Sequence, residues 1–476
     1  MKLSQIHATV AFTLALGLSL AGCSSDGSSD SINLPPSQWN PDEESYTLEE
    51  IELLFNHELV GLFYLNSEKE LKDVDAYMGK GSSSDSYTKS ACTGPYVDVC
   101  YMYEQLEDGF TRYFDPNYAT SILQMLNESE SAVGIGAEVQ DTEDSTVVVS
   151  NVYANGPAEG LLSVGDTIVS VDGTTPSSAA AFEKLTNGNQ GDKILVTVHS
   201  VDGEESTVKI TLDEFLAPTV YLSFVDSIPV VRITEFTVET SSDSGTYGEF
   251  MSIVNKLGDY KSMIVDLRGN PGGETNQCSD IAAEFLGKND TIITFIETAV
   301  DSTVKHGIVT DYFQILDTTT YITSENGVVK DKYVVFLANE NSASCAEILL
   351  ASVTTKKKTP VVGTTTYGKG IGQMVMGTYA NGLALITGLK MLDKNGVSYH
   401  KMGIEPDHII TDADEQLKKA VAIAKEASEK REAGYGKVPT GNFKKVKAIG
   451  PLGIPASKAD FYNLLTGPYS VKNFKK

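Results

Sequence analysis

The hydrophobic rhythm of the chain changes several times from end to end. Behind Lys2 and His7, residues 8–22 ("ATVAFTLALGLSLAG") form a mainly apolar run. It is short for a bilayer span and the right length for a signal-peptide core. Periodicity is then lost over 23–44, a Ser-, Asp- and Pro-rich stretch that reads as a flexible tether. From 45 to 128 apolar residues recur at helical spacing. "TLEEIELLFNHELVGLFYL" opens with a Thr47…Glu50 capping box, and "DVCYMYEQLEDGFTRYFDP" predicts a second helical run ending at Pro116.

Over 129–213 the period falls to two. "AVGIGAEV", "STVVVSNVY", "DTIVSVDG" and "DKILVTVHSVDG" alternate apolar and polar positions between Gly, Asp and Asn turns, with one helix, "SSAAAFEKL". Over 214–411 strands alternate with helices. The strands are "PVVRITEF", "SMIVDLRG", "TIITFIE", "KYVVFLAN", "PVVGTTT" and "LALITGLKML"; the helices fall at about 244–257, 276–287 and 344–355. An amphipathic helix over 412–434 and a basic tail over 435–476 complete the chain. The pattern predicts a multidomain α/β protein: a helical N-terminal domain, a small β-rich module and an α/β core.

Composition adjusts this picture in two places. A formal net charge of −27 argues against nucleic acid, which needs a basic face to neutralise phosphates. The apolar leader ends in "LAGC", Leu20 to Cys23, which is similar to a bacterial lipobox. Cys23 is then the expected lipidation site and the tie to a bilayer, and the expected location is the bacterial cell envelope, on the outer membrane facing the periplasm or the surface. Among the other four cysteines, Cys92 and Cys100 lie eight apart, a spacing that leaves open either a disulfide in an oxidising compartment or two free thiols, whereas Cys278 and Cys345 read as standing alone. No CxxC or Cys/His spacing suggests zinc and the six histidines are scattered, so neither a metal nor a cofactor is expected.

Three segments carry the candidate chemistry. Ser344 follows a buried strand and begins a helix, where free N–H groups favour a developing oxyanion; the plainer role is a helix cap. Lys369, flanked by glycines in "TYGKG", turns back after another strand and, if buried there, serves as a base without histidine; the plainer role is an exposed loop lysine. In "DLRGNPGG", 266–273, the glycines let backbone N–H groups approach a reacting carbonyl, or simply make a βα turn.

In this order, "DLRGNPGG", "SASCAE" and "YGKGIGQ" resemble the carboxyl-terminal processing (tail-specific) proteases, serine hydrolases with a Ser–Lys dyad. That family's usual "SASASE" stands here as "SASCAE" and its "FGKGTVQ" as "YGKGIGQ", with the same 25-residue step from Ser344 to Lys369. The resemblance implies a ClpP/crotonase-like catalytic core, Ser344 as nucleophile, Lys369 as base and Gln373 as the residue that orients the lysine. It implies oxyanion donors in the main-chain N–H of Cys345 and of Gly272 or Gly273. "GFTRYFDP", "GPAEGLLSVGDTIVSVDG" and "GIEPDHII" extend it over most of the chain past the tether, and the β-rich module is similar to the family's PDZ domain. Gly134, Ile135 and Gly136 would then bind the terminal carboxylate of polypeptide substrates with accessible C-termini. A homodimer through the helical domain is compatible with this picture.

Departures are Cys345 in place of a small alanine, Thr355 where some members carry an acid, and an extended segment, "DTTTYITSENGVVKDK", expected as a surface excursion. They leave open an inactive PDZ scaffold that only binds peptides. A Ser–His–Asp esterase is disfavoured, since no GxSxG elbow is present.

Overall fold

A computed structural model describes residues 46–432, apart from 83–86, 93, 130, 143, 154, 243, 306–307 and 354–358. The leader, tether, Cys23, Thr355 and the basic tail therefore lie outside the described residues. Among the described residues no helix is long and apolar enough to cross a membrane.

The centre is a six-stranded sheet in the order 408–409, 361–363, 333–338, 262–266, 228–233, 220–225. All neighbours are parallel except the last pair. Strands such as Ser262–Asp266 are buried on both faces, as expected where helices cover a parallel sheet. Helices Gly245–Leu257, Thr275–Glu284 and Cys345–Val353 supply one core with Val231, Val265 and Phe336. Helix Ala413–Glu432 closes the other face through Ala420, Val421 and Ala424. The carboxyl ends of the parallel strands thus open onto loops 267–273, 339–344 and 364–370.

A second, antiparallel sheet adjoins it. Strand Leu383–Leu392 pairs with Ile371–Gly377, with Thr291–Lys305 and with a short strand, Arg112–Phe114, from the N-terminal segment. Thr291–Lys305 runs twice as far as expected because it forms a long hairpin with Ile308–Ile322. The first residues of the anticipated excursion are therefore paired strand, consistent with their Thr- and Tyr-rich, β-favouring composition.

The N-terminal helical run also differs from expectation. The helix stops at Glu104, Gly109 interrupts the next turns, and Asp115 caps a new helix that starts at Pro116 by accepting the Asn117 N–H. Pro116 begins a helix because its missing N–H costs nothing in the first turn. Helix Leu48–Phe63, with both halves of the Thr47/Glu50 box formed, packs Leu53, Leu59 and Val60 against Met376, Ala384 and Ile386. The Cys92–Cys100 disulfide forms, with Cα atoms 6.1 Å apart.

The β-rich module is a five-stranded antiparallel sheet in sequential order from Ala137–Asp141 to Glu205–Thr211. The last strand was not evident in the sequence. Helix Ala179–Leu185 packs on the first strand, and the Asp141 carboxylate caps it at the Ala179 N–H, 2.7 Å away. Among the described residues the outer edge of Ala137–Asp141 carries no partner strand in that sheet.

Candidate active site

Ser344 sits in the sharp turn between strand Tyr333–Ala338 and helix Cys345–Val353. Its φ of 52° is the left-handed conformation that L residues avoid, at a cost of about 1–2 kcal/mol. The turn is held from both sides. The Ser342 hydroxyl donates to the Leu267 carbonyl at 2.8 Å and the Ala343 N–H to the Asn270 carbonyl at 2.9 Å. Behind it, Asp266 pairs with Arg268 at 2.7 Å and fixes the start of the glycine loop.

That loop approaches Ser344 where only glycine fits. A Cβ on Gly272, whose φ is 105°, would lie 2.6 Å from the Ser344 Cβ and 2.9 Å from the Cys345 nitrogen. The Gly272 N–H is occupied by the Asn270 Oδ1 at 2.8 Å, so of the two glycines expected as oxyanion donors it is the unsuited one. Gly273 bridges Phe236 with its flanking groups, the Gly272 carbonyl and the Glu274 N–H. Among the described residues, no acceptor engages the N–H of Gly273 or Cys345. Two free amides therefore stand on either side of the serine.

Lys369 lies between Gly368 and Gly370 in the loop before strand Ile371–Gly377. Gly368, with φ 87°, lets this loop lie against the Gly403 N–H; a Cβ there would come within 2.8 Å of that nitrogen. The lysine is 6% exposed, and burial lowers its ammonium to about 8. Arg112 lowers it further, while Asp108 and Glu347 act in the opposite sense. Its Nζ lies 5.1 Å from the Phe110 ring centroid. Among the described residues neither the Ser344 Oγ nor the Lys369 Nζ takes part in a hydrogen bond.

One buried carboxylate joins the two segments. Glu347 Oε2 accepts from the Ser344 N–H at 3.0 Å and the Lys369 N–H at 2.7 Å, and Oε1 from the Gly368 N–H at 2.7 Å and the Thr366 hydroxyl. Burial raises its pKa, and these four donors pull it back down.

The family model for peptidase family S41 matches residues 227–410, and a PDZ domain model matches residues 133–212. The chain is 28% identical over 360 residues to the "Probable CtpA-like serine protease" of Staphylococcus haemolyticus, covering 74% of this chain and 67% of that one. The chain is a serine protease with an S41 peptidase domain over residues 227–410 and a PDZ domain over residues 133–212. The protein of the same name from Staphylococcus aureus strain bovine RF122 is also 28% identical, over 71% of this chain and 63% of its own. The chain thus spans about two thirds of the length of these curated relatives. Among solved structures, a photosystem II D1 C-terminal processing protease aligns over 77% of this chain and 94% of its own, with 20% identity and a TM-score of 0.44.

Two expectations differ from the observed arrangement. Among the described residues Gln373 makes no hydrogen bond to Lys369: paired opposite Thr387 in the sheet, it donates to the Thr387 hydroxyl at 3.1 Å. The group facing the amine is Phe110, from the N-terminal segment. Cys278 and Cys345 do not stand alone but form a disulfide, with Cα atoms 5.6 Å apart. Their sequence separation of 67 hid the pairing, since only the packed fold lays helix Thr275–Glu284 beside helix Cys345–Val353.

Sequence reasoning also missed Glu347 and Phe110. Glu347 stands in the "SASCAE" motif three residues after Ser344, where an acid near a helix start reads as ordinary dipole complementation. In the PDZ module, Gly136 has φ 69° and a Cβ there would meet the Gly156 Cα at 2.7 Å. The carbonyls of Ile135 and Gly136 are taken by the N–H groups of Ala158 and Tyr153. Among the described residues the N–H groups of Ile135 and Gly136 meet no acceptor. The Ile135 side chain is buried in the module's own core, so it contributes backbone only.

Proposed function

We propose that this chain is an endopeptidase that captures polypeptide C-termini in its PDZ module and cleaves them with a Ser344–Lys369 dyad. The observation that carries the reading is the shared Glu347 carboxylate, which fixes the backbones of Ser344 and Lys369 to one frame. The amine of Lys369, with a pKa near 8, takes the Ser344 Oγ proton as that oxygen attacks the scissile carbonyl. The carbonyl oxygen becomes an oxyanion between the Cys345 and Gly273 amides. The protonated lysine then gives its proton to the leaving amine, and water hydrolyses the acyl-enzyme. A terminal carboxylate binds the Ile135 and Gly136 amides, and the preceding residues add a strand to the open edge of Ala137–Asp141.

The leader and "LAGC" support a lipid anchor at Cys23 and a place in the bacterial cell envelope. Cys23→Ser is expected to move the protein from the membrane fraction to the soluble fraction.

The decisive test is casein or an unstructured polypeptide incubated with wild type, Ser344→Ala and Lys369→Ala. Cleavage only by wild type, with a fluorophosphonate label lost in Ser344→Ala, supports the dyad. Equal cleavage by Ser344→Ala removes the serine from the mechanism. A wild type that binds C-terminal peptides yet never cleaves is the peptide-binding scaffold.

A further inference from the structure

The two amides flanking Ser344 belong to different segments of the chain. Gly273 precedes helix Thr275–Glu284 and Cys345 opens helix Cys345–Val353. In front, the segments meet through Gly272 against Ser344 and Cys345, and through the Ala343–Asn270 hydrogen bond. Behind, a single covalent link joins them: the Cys278–Cys345 disulfide. One half-cystine is the very residue whose N–H faces the reacting carbonyl, and the other lies four residues beyond Glu274, the N-cap of the opposing helix. Both cysteines are fully buried in the apolar layer around Ile281, Ala282 and Leu349.

We propose that the Cys278–Cys345 disulfide is a positioning element for the oxyanion site, holding the Cys345 amide in register with the Gly273 amide, so that turnover depends on the oxidised bond. The inference rests on the Ser344 mechanism above. Its physical basis is the strained turn. Ser344 keeps a left-handed φ only while the neighbouring segments over-determine it. Cys345 is the next residue, so a covalent tie through its side chain resists relaxation of the turn at the nearest point available. Two electrons and two protons from a dithiol reductant convert the bond to two thiols and leave the reductant as its cyclic disulfide. The helices are then joined by packing alone. An amide displaced by a fraction of an ångström still permits substrate binding in the PDZ groove but stabilises the oxyanion less. The defect therefore falls on kcat and spares KM.

The test uses the full chain and a fluorogenic peptide. Cys278→Ala is expected to lower kcat on the order of ten- to a hundredfold, since losing an oxyanion donor outright costs about 10²–10³. KM should stay within about twofold, because the PDZ module is untouched. Wild type treated with dithiothreitol, with thiols counted by alkylation and mass, is expected to fall toward the same kcat. The Cys92→Ser/Cys100→Ser variant should retain the reductant effect, which assigns it to the buried bond. Circular dichroism checks that Cys278→Ala is folded; if it is not, reduced wild type that remains folded carries the measurement. A kcat within twofold of the oxidised enzyme in whichever of these forms is folded overturns the proposal. A wild type that never cleaves, or a Ser344→Ala enzyme that does, instead overturns the mechanism on which it rests.

Discussion

Raising the pH from 6 to 9 should switch the enzyme on, because the base must lose a proton before it can accept one. Burial is the main force on Lys369, Arg112 adds to it, and together they bring the ammonium from 10.5 to about 8 despite Asp108 and Glu347. The neutral fraction is then about 1% at pH 6, about 9% at pH 7 and about 90% at pH 9. Initial rates on a quenched unstructured peptide, at fixed ionic strength, should give log kcat/KM rising with unit slope and levelling above about pH 8. Arg112→Met should move that limb to higher pH, since a repelling charge is removed. The same shift has a stability counterpart. Below pH 8 the lysine is charged in both states and the fold bears the full burden of burying it, about 3 kcal/mol. Between 8 and 10.5 the unfolded chain binds more protons, so stability rises with pH. Lys369→Met should accordingly be inactive and melt at a higher temperature at pH 7. A profile level from pH 6 to 9, or a midpoint well below 7, refutes a lysine base.

Three further outcomes follow from single contacts. Glu347→Gln leaves one amide oxygen for four donors and turns an NH₂ toward amide hydrogens, so stability should fall by about 2–3 kcal/mol in a denaturant titration, with kcat falling too. Gly272→Ala places a methyl 2.6 Å from the Ser344 Cβ at a φ of 105°, and a displaced nucleophile should cost on the order of a hundredfold in kcat while peptide affinity holds. Gly136→Val clashes with Gly156 at 2.7 Å and should instead raise KM for substrates with a free C-terminus, read from steady-state kinetics.

What the sequence revealed depended on the range of the interaction. Capping at Thr47, the two-residue period of the β module and the buried strands are local signals, and helices and strands appeared near their expected places. Gly272 and the "GKG" glycines were visible as punctuation, because an unusual φ leaves its mark on one residue. Pairing across the fold left no such mark. Residues 317–322, the end of strand Ile308–Ile322, read as an excursion because their partner, not their own pattern, makes them strand. Cys278 and Cys345 read as isolated for the same reason.

The lysine shows most clearly why a motif underdetermines a site. "YGKG" fixes where Lys369 turns, but its charge is set first by burial and then by Arg112 and Asp108, about 260 positions earlier, and by Glu347. The buried Arg112 guanidinium donates to the Gly109 and Phe110 carbonyls, and burial lowers its own pKa to about 10 against the opposing pull of Asp108 and Glu104. Strand Arg112–Phe114 is held in the core sheet by pairing with Leu383–Leu385, and the Thr387 N–H donates to the Thr111 hydroxyl at 3.0 Å. Arg112 in this strand and Phe110 two residues before it are thus tied to the antiparallel sheet that carries Leu383–Leu392. Removing residues 46–128 should therefore do more than unload a helical appendage. It exposes Lys369 to water, returns its ammonium toward the ordinary lysine range, and silences the base at neutral pH even if Ser344 and Glu347 keep their places.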